Sequence, residues 1–143
     1  MDVAVQQQST TDPRLGMSVV HRRYVPRGAG YAAGGVLDAS YTLRMFEDAV
    51  IEMCIRTDGD EGQLVGYSGV DLLEPVHPGD VLEAEATLTR IGNTSRAIAL
   101  EARVVCRAVA PEELRRHATT STAARVLEEP LVVMRATGTV VVE

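Results

Sequence analysis

Four side chains in the N-terminal half have the chemistry to move protons: Tyr31, Asp38, Tyr41 and Glu52. Gly34 and Gly35 close a loop, Arg27 to Gly35, that holds four of the twelve glycines, so its backbone can approach a ligand closely. If that loop feeds a helix, the free N–H groups and the positive end of the helix dipole suit an oxyanion; the plain alternative is a flexible entry turn. Asp38 would sit at the helix mouth as a base or an anionic contact, or simply as an N-cap. Tyr31 and Tyr41 could donate protons or orient a substrate, or pack with solvated hydroxyls. Glu52 shares a stripe with Tyr41, Met45 and Asp48 at helical steps. Buried against a sheet, its pKa would rise and it could shuttle protons near neutral pH; otherwise the stripe is a solvated helix face. Along one helix Asp38 and Glu52 are about 21 Å apart, so they cannot serve one site from one subunit. Asp71, alternating with Val70 and Leu72, is a third acidic candidate for substrate contact. Asn93, Thr94, Ser95 and Arg96 form a turn of donors with one cation, suited to phosphate or to nothing more than a hairpin. His21, His77 and His117 lack ligand spacing, so no metal site is expected.

The elements that must position these groups follow from periodicity. Val19, Val20, Tyr24 and Val25 before Pro26 suit a first strand at a sheet edge. From Asp38 to Thr57, Ala39, Leu43, Phe46, Val50, Met53 and Cys54 recur at steps of three and four, predicting one long helix stopped at Asp58-Gly59. Strands are expected over 64–73, 81–91, 97–109 and 131–142, with Leu82, Ala84, Ala86 and Leu88 on one face and Ile98, Leu100, Ala102 and Val104 on another. Residues 111–125 read as a short helix with an exposed loop. One strand, one helix and then a run of strands is an α+β order, in which a curved antiparallel sheet can wrap the helix.

Composition narrows the partners. Twenty acidic against fourteen basic residues repel polyanions, and one Phe with no Trp leaves few platforms for base stacking, so neither nucleic acid nor an anionic membrane is expected. Residues 1–16 read as a flexible tail without the features of a secretion signal, and 17–143 as a single domain. Without a membrane-spanning apolar run, a cytoplasmic protein is expected. Cys54 and Cys106 are expected as buried free thiols.

Particular residues sharpen this layout. Val36-Leu37-Asp38-Ala39, Phe46, Asp48, Glu52, Asp58-Gly59-Asp60-Glu61-Gly62, Tyr67, Pro75-Val76, Gly79-Asp80 and Gly92-Asn93-Thr94-Ser95-Arg96 together resemble the hotdog-fold β-aminoacyl-CoA ammonia-lyases acting on 3-aminobutyryl-CoA and β-alanyl-CoA. The likeness spans roughly Gly30 to Val105, and 58–62 and 92–96 are its specific segments. In one departure, Tyr31-Ala32-Ala33-Gly34-Gly35 stands where the family has His-Tyr-Gly-Gly-Asn, so a weaker base, with an ordinary pKa near ~10, replaces histidine. The resemblance implies reversible addition or elimination of an amine at the β-carbon of an enoyl-CoA. No prosthetic group is implied, CoA or phosphopantetheine entering as part of the substrate. It further implies a homodimer or assembly of dimers, in which the mouth of one helix meets the middle of its partner's. Asp38 or Asp71 would contact the amine, and residues 93–96 the CoA phosphates. A more distant similarity to hotdog thioesterases implies, as the alternative, hydrolysis of a β-substituted acyl-CoA or acyl-carrier-protein thioester, with or without glycine addition. A non-catalytic acyl-CoA-binding module is the third reading.

Overall fold

In chain order the elements are β1 (Ser18–Tyr24), α1 (Ala39–Asp58), β2 (Gln63–Leu72), β3 (Val81–Ile91), β4 (Ser95–Ala108), α2 (Pro111–His117) and β5 (Ala124–Val141). The computed structural model describes residues 12–28, 35–117 and 122–143. Period-two patterning makes β3 and β4 the centre of the sheet. Leu82, Ala84, Ala86 and Leu88 face inward beside Ile98, Leu100, Ala102 and Val104, and all are buried. Register pairs Ala84 with Ala102, Ala86 with Leu100 and Leu88 with Ile98. The alanines keep this inner face low, so a helix can lie against it. The sheet runs β1-β3-β4-β5-β2 with every neighbour antiparallel, which is the expected hotdog arrangement.

Helix α1 buries Thr42, Met45, Phe46, Ala49, Val50, Met53 and Cys54 against the sheet. Each large apolar side chain removed from water there contributes roughly 1.5–3 kcal/mol. Met45 corrects the expected stripe: it lies in the core at 1% exposure rather than with Tyr41, Asp48 and Glu52, while Ala39 and Leu43 are only partly buried. Two further expectations shift. Residues 12–16, expected in a tail, form a turn joined to β3 by Gly16 N–H donating to the Leu88 carbonyl; residues 1–11 lie outside the described residues. The last strand begins at Ala124 rather than Leu131, because Ala124–Val126 pair with the end of β4 beyond the reach of the hydrophobic pattern. Pro130 fits there because β2 pairs only with the later part of β5, from Met134 onward. Cys54 is buried as expected, but Cys106 only partly so.

The two segments most specific to the resemblance meet at the end of α1. Gly59 takes a left-handed φ of 64° and donates to the Ile55 carbonyl, ending the helix. Asp58 accepts from Arg96 Nε at 3.2 Å and Nη2 at 2.7 Å, and from Arg14 Nη1 at 3.0 Å. Arg96 Nη1 donates to the carbonyls of Gly92 and Ser95. Asp60 accepts the N–H groups of Gly62 and Glu143, drawing in the C-terminus. Gly62, at φ 71°, allows no side chain, since a Cβ would lie 2.8 Å from Val140 Cγ1. Among the described residues no helix is long and apolar enough to cross a membrane.

With Arg96 6% and Asp58 10% exposed, removing Arg96 takes away two of the three arginine hydrogen bonds to Asp58 and leaves the carboxylate with the more exposed Arg14 and with Thr57. Arg96→Ala is expected to lower unfolding free energy by about 1–3 kcal/mol in urea titration, because Arg14 still faces the carboxylate. Arg96 holds the Asp58 carboxyl below its ordinary 3.8. This contribution is therefore complete above the ordinary value and is lost as pH falls through the lower folded value. Asp58→Asn should flatten the acid side of the stability curve without changing its alkaline side.

Candidate active site

The N-terminus of α1 opens beside a cleft of about 290 Å³ lined by Leu37, Ala39, Thr42, Leu72, Leu73, Glu74, Pro75, Val76, Val133 and Met134. Gly35 turns the chain into the helix with φ 75°, and Leu37 N–H donates to the Val76 carbonyl at 2.9 Å, pinning the entry to the β2–β3 connection. Asp38 stands at the N-cap with an extended backbone, but its side chain makes no capping hydrogen bond. No acidic residue occupies the first turn either. The helix mouth thus keeps its positive dipole end and amides free of a side-chain cap next to a mostly apolar cleft, with the exposed carboxylate of Glu74 lining the cleft and that of Asp38 at the N-cap. Tyr31 and Gly34 lie outside the described residues.

The other expected groups are placed elsewhere. Glu52 faces β1, accepting from His21 Nε2 at 2.7 Å and from Arg56 Nε at 2.7 Å. Arg56 first, then His21, hold its carboxyl below the ordinary range. The expected raised pKa is therefore corrected: with its side chain 38% exposed and paired with a cation, Glu52 is held ionised at neutral pH. Tyr41 lies on the same side, its ring 5.7 Å from the Arg23 guanidinium carbon. Arg96 is also corrected as a phosphate contact, since its guanidinium is bonded to Asp58 and to two turn carbonyls. Asn93 is exposed, and Ser95 uses its carbonyl to close the turn from Gly92 N–H at 2.8 Å. Asp71 is exposed on β2, opposite Arg135 in the sheet register.

Sequence reading passed over Glu47. Of the four acidic residues on α1, Asp48 pairs with Arg23 and Arg44, Glu52 with Arg56 and His21, and Asp58 with Arg96 and Arg14. Glu47 has no hydrogen bond or ion pair among the described residues. It lines a second cleft, of about 280 Å³, with Val50, Ile51, Glu61, Gly62, Gln63 and Leu64. Its charge reaches the half-buried Tyr67, whose hydroxyl is pushed above its ordinary pKa by burial and then by Glu47. The helical step Leu43, Glu47, Ile51 would have marked this side of α1, but Asp48 and Glu52 drew attention to the other. Cys54 is a poor nucleophile, because burial, with Asp58 adding to it, pushes its thiol up to about 11. Among the described residues no three His, Cys, Asp or Glu side chains are grouped as a metal site would need.

Known proteins place this geometry in a family. Residues 29–108 match the thioesterase superfamily. The chain is 41% identical over 125 residues to the 3-aminobutyryl-CoA ammonia lyase of Acetoanaerobium sticklandii, covering 87% of this chain and 93% of the relative. Among solved structures it resembles the β-alanyl-CoA:ammonia lyase of Clostridium propionicum, with a TM-score of 0.79 at 24% identity over 90% of this chain and 86% of that one. A hexameric hotdog-fold thioesterase of Campylobacter jejuni follows at a TM-score of 0.67 and 15% identity, over 86% and 80% of the two chains. The expected fold and family are both met, and the chain belongs to the thioesterase superfamily and, within it, to the family of the 3-aminobutyryl-CoA ammonia lyase.

Proposed function

We propose that this chain is a carbon–nitrogen lyase that reversibly adds an amine to the β-carbon of a short enoyl-CoA. The observation that carries the reading is the 41% identity to the ammonia lyase over nearly the whole of both chains. The site chemistry agrees with it. Elimination needs a base for the α-proton, an acid for the departing amine and donors for the thioester oxygen as it gains enolate charge. The mouth of α1, without a side-chain cap, offers N–H groups to that oxygen, and the mostly apolar cleft beside it suits an acyl chain. Glu74, which lines the cleft, and Asp38, at the helix N-cap beside it, suit an ammonium at the β-carbon. With Arg96 committed inside the protein, the CoA phosphates need another cation. The free thiols Cys54 and Cys106 fit a reducing compartment such as the cytoplasm.

The reading includes a second copy. β2 is an edge of the sheet, and Val65, Val70, Leu72 and Leu73 on and beside it are exposed, Leu72 at 65%. A long apolar edge strand invites antiparallel pairing with its own copy about a two-fold axis. Hydrolysis remains the second reading because the superfamily match is to thioesterases.

Incubation with crotonyl-CoA and ammonium is expected to give a β-amino adduct still joined to CoA, followed by mass spectrometry, without release of free thiol. Thiol released with or without an amine would replace the lyase with a hydrolase, and neither product would refute both. Leu72→Lys is expected to halve the mass measured by light scattering or to weaken association at least tenfold; an unchanged mass would refute pairing through β2.

A further inference from the structure

Two half-sites lie at opposite ends of β2. The helix-mouth cleft takes Leu72 and Leu73 from the end of the strand, and the Glu47 cleft takes Gln63 and Leu64 from its start. Each lacks something the other has. The mouth cleft has amides free of a side-chain cap and apolar walls, but the carboxylates of Glu74 in its lining and Asp38 at the N-cap are exposed. The other has a partly buried carboxylate without a cation, set among Val50, Ile51 and Leu64. With the proposed β2 pairing taken over the full strand, Gln63 would lie opposite Leu72 of the copy, and the Glu47 cleft at one strand end would then face the copy's helix-mouth cleft at the other.

We infer that Glu47 of one copy is the proton-accepting carboxylate for the site at its partner's helix mouth. This rests on the lyase reading and adds the residue that performs its first step. Glu47 takes the α-proton, and the C–H electron pair passes into the enolate, its charge on the thioester oxygen at the mouth. That pair then forms the Cα–Cβ double bond as the β C–N bond breaks and the amine leaves with the C–N pair. The proton held by Glu47 passes to the freed amine, which returns the carboxylate. Asp48, Glu52 and Asp58 on the same helix are each engaged by an arginine, whereas Glu47, among the described residues, is not, which leaves its oxygens open to a substrate.

Activity in mixed dimers tests this directly. Glu47→Gln keeps the side-chain volume, and kcat is expected to fall at least a hundredfold with KM changed less than threefold, Glu47→Asp recovering part of the loss. Ala39→Trp fills the mouth cleft and should also be inactive. Heterodimers of the two variants, purified through two different tags, are expected to regain about half the wild-type activity, because one site then has an open mouth and an intact Glu47 from the other chain. Heterodimers as inactive as their parents would overturn action across the interface, and a Glu47→Gln enzyme with wild-type kcat would overturn the role itself. If Ala39→Trp fails a thermal-melt check for folding, Ala39→Leu takes its place. A wild-type chain that adds no amine to crotonyl-CoA refutes the function and this role together; an active wild type leaves the Glu47 result to decide the role alone.

Discussion

The ion pair between Asp58 and Arg96 is the constraint on which the arrangement turns. It joins the last residue of α1 to the second residue of β4, so it fixes the helix against the hairpin that forms the middle of the sheet. Arg14 adds the chain just before β1 by donating to both Asp58 and the Thr57 carbonyl, and Asp60 adds the C-terminus through Glu143. A buried pair gives little net stability over an apolar one, but it is unforgiving of displacement, since either charge left alone in the interior is expensive. Such a contact specifies where the helix ends. With that end held, and with Leu37 pinned to Val76 at the other, the direction of the helix mouth is set.

From that axis the two sides of α1 take different tasks. Toward β1 the carboxylates are engaged: Arg23 and Arg44 pair with Asp48, and Arg56 and His21 hydrogen-bond Glu52. These contacts tie an edge strand to the helix. Toward β2, Glu47 has no such partner among the described residues and lines a cleft with Val50, Ile51 and Leu64 together with Glu61 and Gln63, beside an edge strand. The asymmetry leaves paired carboxylates on one side and an unpaired one on the other, although the residue types on the two sides are the same.

The outer face of the sheet repeats the first of these tasks. Glu83 joins Arg22 on β1 to Arg103 on β4, and Glu101 joins Arg103 to Arg135 on β5. Four strands are thereby linked by one chain of alternating charges, which resists slippage of register where the side chains are partly shielded from water.

By itself the sequence determined the order of elements and the inner faces of the central strands. Period-two and helical patterning are local signals, and Leu82, Ala84, Ala86 and Leu88 or Phe46, Val50 and Met53 satisfy them wherever the chain is placed. It also marked residues 58–62 and 92–96 as distinctive, because glycines with fixed positive φ and paired charges leave a recognisable composition. It did not reveal that these segments bind each other. Arg96 reads equally well as a phosphate contact until the fold brings Asp58 to it from 38 residues away. Glu52 is a mixed case: its carboxyl is lowered first by Arg56, one helical turn further along the chain, and then by His21, which the fold brings to it from β1. Only the tertiary structure decided which carboxylates are neutralised and which are left uncommitted, because charge pairing depends on distances across the fold and residue spacing records only distances along the chain.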